Sequence, residues 1–404
     1  MEYDVLIVGG GMVGASLACA LGDSPLRVGV LEPHPAQSEW DEREYDIRVS
    51  AITRATQRVF EAVGAWPGML AHRVCPYQAM RVWDATGKGR VHFDAAEIGE
   101  PDLGHIIENR VILAALLARM AEFDNVRLHC PAQVAGMVRD AQGVRLTLAD
   151  GQTLHARLVV GADGANSWVR QQAGIETIGW SYEQSALVAT IRTARHHQDT
   201  CWQRFMPSGP LAFLPLPEGL SSIVWSTHPE QAEALAAMPE PAFLQALQQA
   251  FGDELGEMQA VGPRGVFPLL LRHAKRYTDE RLVLMGNAAH AIHPLAGQGL
   301  NLGVSDVAAL AELLCAAAQA GDDPGAYPLL RRYERWRKGD NLAVMGAMDG
   351  FKRLFSNDNP LLIPLRNVGL NLAERAGPLK TLMIRRAMGL EGDLPRLCLG
   401  KPIP

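Results

Sequence analysis

The sequence predicts an α/β fold, in which a parallel, helix-flanked sheet is assembled from separated stretches of chain and an antiparallel sheet is inserted among them. Three observations lead there. The chain opens as strand, glycine turn, helix, strand. Two further glycine-bearing turns recur near residues 163 and 297. Between them, from about 180 to 228, alternating runs are punctuated by Pro207-Ser208-Gly209-Pro210 and Pro217-Glu218-Gly219. That pattern reads as antiparallel hairpins.

Each element has its own reason. Tyr3 to Val8 is β-branched and apolar, as a strand buried on both faces should be. Gly9-Gly10-Gly11 breaks it, and Met12 to Leu21 is a small, apolar helix that Gly22 should stop. Arg27 to Leu31 is a second short strand ending at Glu32. Asn109 to Phe123 is helical, with Asn109 as N-cap. Arg157 to Val160 and Arg281 to Met285 are strands that lead into Gly161-Ala162-Asp163-Gly164 and Gly286-Asn287-Ala288-Ala289-His290. Three helices, at about 303–320, 326–350 and 364–388, finish the chain. The expected division is a discontinuous first domain over 1–72, 104–175 and 272–345, a second domain over 73–103 and 176–271, and a helical segment over 346–404.

Composition narrows the function. The chain has 404 residues, of which 48% are hydrophobic and 20% charged, so it is globular with a large core. A net charge of −6 argues against a nucleic-acid binder. The charge is uneven: residues 331–404 carry 14 basic against 7 acidic side chains. That surplus is either a solvated face or a surface for an anionic partner or membrane. Six scattered cysteines without C-x-x-C fit reduced, structural thiols in the cytoplasm. The N-terminus has no basic region with an apolar stretch of signal length, and no run of 18 apolar residues suggests a membrane span.

The first motif is Gly9-x-Gly11-x-x-Gly14, with Glu32 eighteen residues beyond Gly14. Glycines there allow a tight turn, close approach of backbone to a pyrophosphate, and close packing of helix on strand. The helix start offers free N–H groups to phosphate. Glu32 can accept hydrogen bonds from both hydroxyls of a ribose. The motif therefore predicts a dinucleotide, but it cannot choose between a flavin and a nicotinamide. The second motif is Gly161-Ala162-Asp163-Gly164-Ala165-Asn166-Ser167-Trp168-Val169-Arg170. The third runs from Gly286 to Asn301 and ends Pro294-Leu295-Ala296-Gly297-Gln298-Gly299-Leu300-Asn301.

Taken together, and with Arg48-Val49-Ser50-Ala51-Ile52, these motifs resemble the group A flavoprotein aromatic hydroxylases. Within them the chain is most similar to the ubiquinone-biosynthesis hydroxylases of the UbiH/UbiI/UbiF type, over roughly residues 3 to 390. The resemblance implies a p-hydroxybenzoate hydroxylase-like fold: a Rossmann-like FAD-binding domain with an inserted antiparallel-sheet substrate domain. It implies that Gly9, Gly11 and Gly14 hold the FAD pyrophosphate and Glu32 the adenosine ribose. Arg48 would lie near the ribose and phosphates, and Arg110 beside the flavin. Asp163 and Gly164 would serve both FAD and the nicotinamide donor. Gly286 and Asn287 would bond the ribityl chain and phosphates, and Gly297, Gln298, Gly299, Leu300 and Asn301 would run under the isoalloxazine ring. The wider family usually has Asp where this chain has Asn287. Asn still accepts a hydrogen bond but carries no charge.

The implied reaction is hydroxylation of the aromatic ring of a polyprenylated phenol, using NAD(P)H and O2 through a flavin peroxide, in the cytoplasm or at the inner face of the membrane. A soluble aromatic acid, a flavin reductase or halogenase reaction and a non-enzymatic FAD scaffold are the competing readings. No W-x-W-x-I-P stretch of the halogenases is present. No catalytic base can be named. His290 and His293 are weak candidates for a proton relay, and their spacing is not read as a metal site, since no third ligand lies nearby. Trp202, Phe205, Phe213 and Trp225 are read as core rather than substrate wall. Leu361 to Pro364, with Arg366, Arg375, Lys380, Arg385 and Arg386, would be the part that meets anionic lipid or a partner protein.

Overall fold

A computed structural model of the chain describes residues 2–36, 40–41, 43–291, 298–355 and 362–403. Strand β1 (Tyr3–Val8), helix α1 (Met12–Ala20) and strand β2 (Val28–Leu31) form the opening unit. Helix α1 ends two residues before Gly22, whose backbone is not left-handed. An added Cβ at Gly22 would lie 2.5 Å from the Phe123 ring, so that glycine serves close packing rather than the expected helix stop.

Strand β3 (Val49–Ile52), helices α2 (Arg54–Ala62) and α3 (Trp66–Leu70) and strands β4 (Val74–Tyr77), β5 (Ala79–Asp84), β6 (Arg90–Asp94) and β7 (Gly104–Glu108) follow. Helix α4 (Asn109–Met120) takes Glu108 as its N-cap. Asn109 is therefore the first helical residue and not the cap, and its side chain instead accepts a hydrogen bond from Ser50 Oγ at 2.7 Å. Strands β8 (Val126–His129), β9 (Val134–Arg139), β10 (Val144–Leu148) and β11 (Thr153–Gly161) lead to the short helix α5 (Trp168–Gln172). Then come β12 (Thr177–Thr193), β13 (Thr200–Met206), β14 (Gly209–Pro215), β15 (Leu220–Thr227), α6 (Pro229–Ala237), α7 (Glu240–Phe251), β16 (Met258–Ala274), β17 (Thr278–Asp279), β18 (Leu282–Leu284) and β19 (His290–Ala291).

Among the described residues four helices finish the chain where three were expected: α8 (Gln298–Ala320), α9 (Tyr327–Phe355), α10 (Leu362–Arg375) and α11 (Gly377–Ala387). The expected 364–388 helix is broken at Ala376, because Pro378 has no N–H and biases the residue before it away from helix. Helix α8 is long and apolar enough to cross a membrane, but 78% of its apolar window is buried inside the protein, as in a core helix.

The first sheet runs β17-β18-β11-β1-β2-β8, with β1 parallel to both β2 and β11 and with β11 parallel to β18. This is why Val5, Leu6 and Ile7 are fully buried. The second sheet runs β19-β16-β12-β15-β14-β13-β5-β6. Its hairpins are antiparallel as expected, apart from a parallel pairing of β13 with β5. A small third sheet, β3-β7-β4, joins the two regions. Helices α6 and α7 cover one face of the second sheet. They bury Trp202, Phe213 and Trp225 in a core with Phe243 and Phe251. Phe205 is buried on the other face, stacked on Phe355 at 4.4 Å.

Candidate functional site

The first two glycine turns and the turn at Gly286 meet at the C-terminal ends of the parallel strands, and the turn expected near residue 297 lies outside the described residues. Gly9 takes φ +106, and a Cβ there would lie 2.5 Å from the Ala162 carbonyl, so the first turn rests directly on the second. A Cβ on Gly14 would lie 1.9 Å from the Gly9 carbonyl, which is why helix α1 can close on its own turn. Gly11, the N-cap of α1, has nothing within 4 Å of its Cβ position. Crowded glycines thus build the turn, and an open one faces free space before a helix start. That is the shape a pyrophosphate needs.

Glu32 closes one side of the turn. Its Oε2 accepts from Gly10 N at 2.7 Å and its Oε1 from His34 N at 3.1 Å. Each oxygen keeps a further acceptor site, so the carboxylate is oriented and still able to take ribose hydroxyls.

In the second motif Asp163 Oδ2 accepts from Val169 N at 3.0 Å and pins the start of α5. Asp163 Oδ1 is buried and has no hydrogen-bond partner among the described residues. Gly164, at φ +81, fronts open space. The buried Arg170 donates from Nη1 to Ala288 O at 2.8 Å and from Nη2 to Ala165 O at 2.9 Å. It therefore clamps the second motif to the third.

The third motif opens with a 3-10 turn over Gly286–Ala288. The Cβ positions of Gly286 and Gly303 lie 3.1 and 2.8 Å from Val13 Cγ2. One valine of α1 thus seats both the turn and α8. Asn287 stands exposed on the turn. His290 is buried, with Nε2 at 2.5 Å from Asp306 Oδ2, so it belongs to an internal network and not to an open proton path. Helix α8 starts at Gln298, three residues before the Asn301 expected. Gly299 fronts open space and Leu300 is half-buried. Asn301 is committed inward: Nδ2 donates to Ala51 O at 2.8 Å, and Oδ1 accepts from Thr53 N at 3.1 Å. Its amide fixes the start of α8 to strand β3. Gly297, His293 and the side chain of Gln298 lie outside the described residues.

Arg48 and Arg110 are brought together by a residue that the motifs do not flag. Asp46 accepts from both backbone N–H groups, Oδ1 from Arg48 and Oδ2 from Arg110. The exposed Arg48 guanidinium lies 5.4 Å from the Phe267 ring centre. Arg110 is ion-paired: its Nη2 is 2.8 Å from the buried Glu108 Oε1. Arg73 pairs with the same carboxylate at 2.9 Å and lies 4.2 Å from the Tyr45 ring centre. Arg73, Glu108 and Asp46 were not singled out from sequence. Their signal becomes visible only once β7, which ends at Glu108, pairs with β3 and β4, since Asp46 and Arg73 lie just before those two strands.

The second sheet presents a mostly apolar row on one face. Strand register aligns Gln203, Ala212, Val224, Val188 and Gly265 on one face. All five are only half-buried, while Phe213, Ile223 and Ala189 on the other face are covered. Ile47 Cδ1 would lie 2.7 Å from a Cβ on Gly265, and Met345 of α9 joins the cluster that Val224 packs against. The row therefore faces the segment that carries Arg48. A separate cleft of about 600 Å³, lined by Arg81, Trp83, Arg90, Trp202 and Asn371 among others, opens at the outer β5–β6 edge, and no motif residue lines it.

Five cations of the C-terminal helices were expected to face a membrane or partner, and two of them, Arg366 and Lys380, are buried instead. Arg366 is buried on Asp84, Lys380 is buried on Glu97, and Arg385 pairs with Glu391. Arg386 is exposed, and the side chain of Arg375 lies outside the described residues, as does residue 361. Long-range partners thus take up two of the cations, Arg366 and Lys380.

The family model described as "FAD binding domain" matches residues 2–344. The chain is 43% identical to the ubiquinone hydroxylase UbiL of Rhodospirillum rubrum, over 99% of this chain and 93% of that one. It is 40% identical to the 3-demethoxyubiquinol 3-hydroxylase of Escherichia coli K12, over 96% and 98%. Among solved structures, it superposes on the p-nitrophenol 4-monooxygenase PnpA of Pseudomonas putida with a TM-score of 0.80 at 20% identity, over 97% of this chain and 100% of that one.

Proposed function

This chain belongs to the family of FAD-dependent monooxygenases that includes the ubiquinone-biosynthesis hydroxylases, and on that premise we propose that it hydroxylates the aromatic ring of a polyprenylated phenol with NAD(P)H and O2. One observation carries the reading furthest. Open glycine positions at Gly11, Gly164 and Gly299 come from three turns seated on one another, and the half-buried apolar row lies across from Arg48.

The residues fit FAD. Gly9, Gly11 and Gly14 would hold its pyrophosphate and Glu32 its ribose. Arg48, and Arg110 through its pairing with Glu108, would set the positive field near the phosphates and ring. Asp163, Gly164, Gly286 and Asn287 would meet the ribityl chain and phosphates, and Gly297 to Asn301 the ring. FAD, when bound, supplies the electron transfer from NAD(P)H and the oxygen activation that these side chains cannot supply. The chain's own contribution is position, electrostatics and dryness. The free N–H groups at the start of α8 offer a positive end where negative charge develops on the reduced ring. Val188, Ala212 and Val224 would exclude water from the ring of the phenol. The first and second domains over the expected boundaries are the units that this reading uses.

Peripheral contact with the cytoplasmic face of the membrane is part of the proposal. Its support is apolar rather than cationic: Val368 and Leu372 on α10 are 63% and 65% exposed, and Leu382 and Met383 on α11 point outward too. Co-sedimentation with liposomes should fall when Val368 and Leu372 become serine, and equal sedimentation would remove this part.

The test of the reaction is NAD(P)H oxidation by the FAD-loaded protein with and without a short-chain prenylphenol, reading hydrogen peroxide and hydroxylated product together. Stimulated oxidation with hydroxylated product supports the proposal. Stimulation that yields peroxide alone points to a soluble aromatic, and no stimulation overturns the hydroxylase reading.

A further inference from the structure

Beneath the third turn sits a carboxylate that no motif reading assigned. Asp306 lies on α8 and is fully buried. Its Oδ2 accepts from Gly286 N at 3.1 Å and from His290 Nε2 at 2.5 Å. Its Oδ1 accepts from Arg337 Nε at 3.0 Å and from Asn341 Nδ2 at 3.1 Å. Burial alone would raise its pKa, but His290, Arg337 and Asn341 hold it down to about 2. The site is thus an ionised, four-donor anchor. A buried charge is tolerated only when it is so paired.

The geometry is specific. Gly286 and His290 are the two ends of the turn, and one oxygen atom holds both. Arg170 fixes the carbonyl of Ala288 between them. Asn287 stands exposed on the same turn. Nothing apolar could hold both ends this way, since the donors are a backbone N–H and an imidazole N–H.

We infer that Asp306, acting through Gly286 and His290, is a positioning residue that sets the height and angle at which the Asn287 turn meets FAD. The inference rests on the FAD reading above. It assigns Asp306 no contact with the cofactor and no chemical step.

The test uses the full-length protein stripped of FAD, in four forms: wild type, Asp306→Asn, His290→Ala and His290→Gln. FAD binding is followed by quenching of flavin fluorescence, with the absorbance band positions of the bound flavin and the melting temperature of each apoprotein. Asp306→Asn and His290→Ala should each weaken FAD binding about 10-fold or more and shift the bands. His290→Gln can keep an N–H directed at Asp306 and should bind within about 3-fold of wild type. Variants that melt earlier yet bind FAD as wild type does, with unchanged bands, overturn the inference and leave Asp306 a stability residue. If Asp306→Asn fails to fold, the His290 pair decides alone: equal binding by the alanine and glutamine forms overturns it. A wild type that binds FAD but oxidises no NAD(P)H with a phenol sinks the hydroxylase reading and leaves this one standing.

Discussion

Asp306 and Asp84 are two buried carboxylates with the same chemistry and different consequences. Each is at most 2% exposed, and each meets an arginine that is also buried, Arg337 and Arg366. Asp84 also accepts from Thr86 N and Oγ1 at 2.8 Å and from Asn367 Nδ2 at 3.2 Å. All its partners come from its own turn and from α10. Asp306 instead collects donors from Gly286 and His290, after strand β18, and from α9. One site fastens a helix with an apolar outer face to the edge of the second sheet. The other fastens the turn that the proposed function assigns to FAD. A buried ion pair does not reveal its purpose; the other groups on the same oxygens do.

Four measurements break or sharpen that contrast. Arg366→Ala leaves Asp84 buried without its charge partner and should cost about 3–5 kcal/mol of stability. Denaturant unfolding would show the loss, and limited proteolysis would place it in α10 and α11, with FAD affinity within about 2-fold of wild type. A matching loss of FAD affinity would merge the two sites into one. Gly14→Ala should do the converse. Its Cβ would meet the Gly9 carbonyl, so the turn must shift, and FAD affinity should fall on the order of 100-fold while the C-terminal cleavage pattern stays the same. Glu32→Gln keeps the shape but removes the charge that orients on Gly10 N. A loss of about 10-fold in FAD affinity is expected, again by fluorescence titration.

The smallest effect is in pH. Burial, with His290 and Lys338 nearby, lowers the folded-state pKa of His273 to about 4, against an ordinary value near 6.5. The unfolded chain therefore binds the extra proton first, and stability is lost as pH falls from about 6.5 to about 4. Asp306, held at about 2, loses its contribution only below the ordinary carboxylate value of about 3.9. Tyr277 bonds His273 at 3.0 Å and Asn341 at 3.3 Å, which ties that histidine to the Asp306 network. The Asp84 network contains no histidine among its described partners. Acidification to about pH 5 should thus release FAD before it opens the C-terminal helices to protease. The opposite order would show that the two regions do not differ in this way.

The parts legible in sequence were those set by local backbone geometry. The glycine turns after β1 and β11, the position of Glu32 and the hairpins follow from local spacing, since each depends on residues close together in the chain. Asp306, Asp46, Glu108 and Arg73 were not legible, because their meaning comes from partners on other elements. Asp306 meets Gly286 across 20 positions and Arg337 across 31, and Arg73 meets Glu108 across 35. The C-terminal cations misled for the same reason: Arg366 finds Asp84 across 282 positions. Asn301 was placed under the ring by resemblance, yet its amide is taken up by Ala51 and Thr53. The break at Ala376 was readable in Gly377-Pro378, and a continuous apolar pattern obscured it.

Val13, seated between Gly286 and Gly303, also has a meaning in time. The first glycine turn is translated 272 residues before Gly286. At ordinary rates of synthesis that separation lasts roughly 15–55 s. Throughout it, α1 has α4 to pack on but lacks α8, whose Gly303 seats Val13. On the proposed reading, flavin capture is expected late in biogenesis, after α8 has left the ribosomal exit, and a chain stalled before that helix should carry the first motif complete with a weaker grip on FAD.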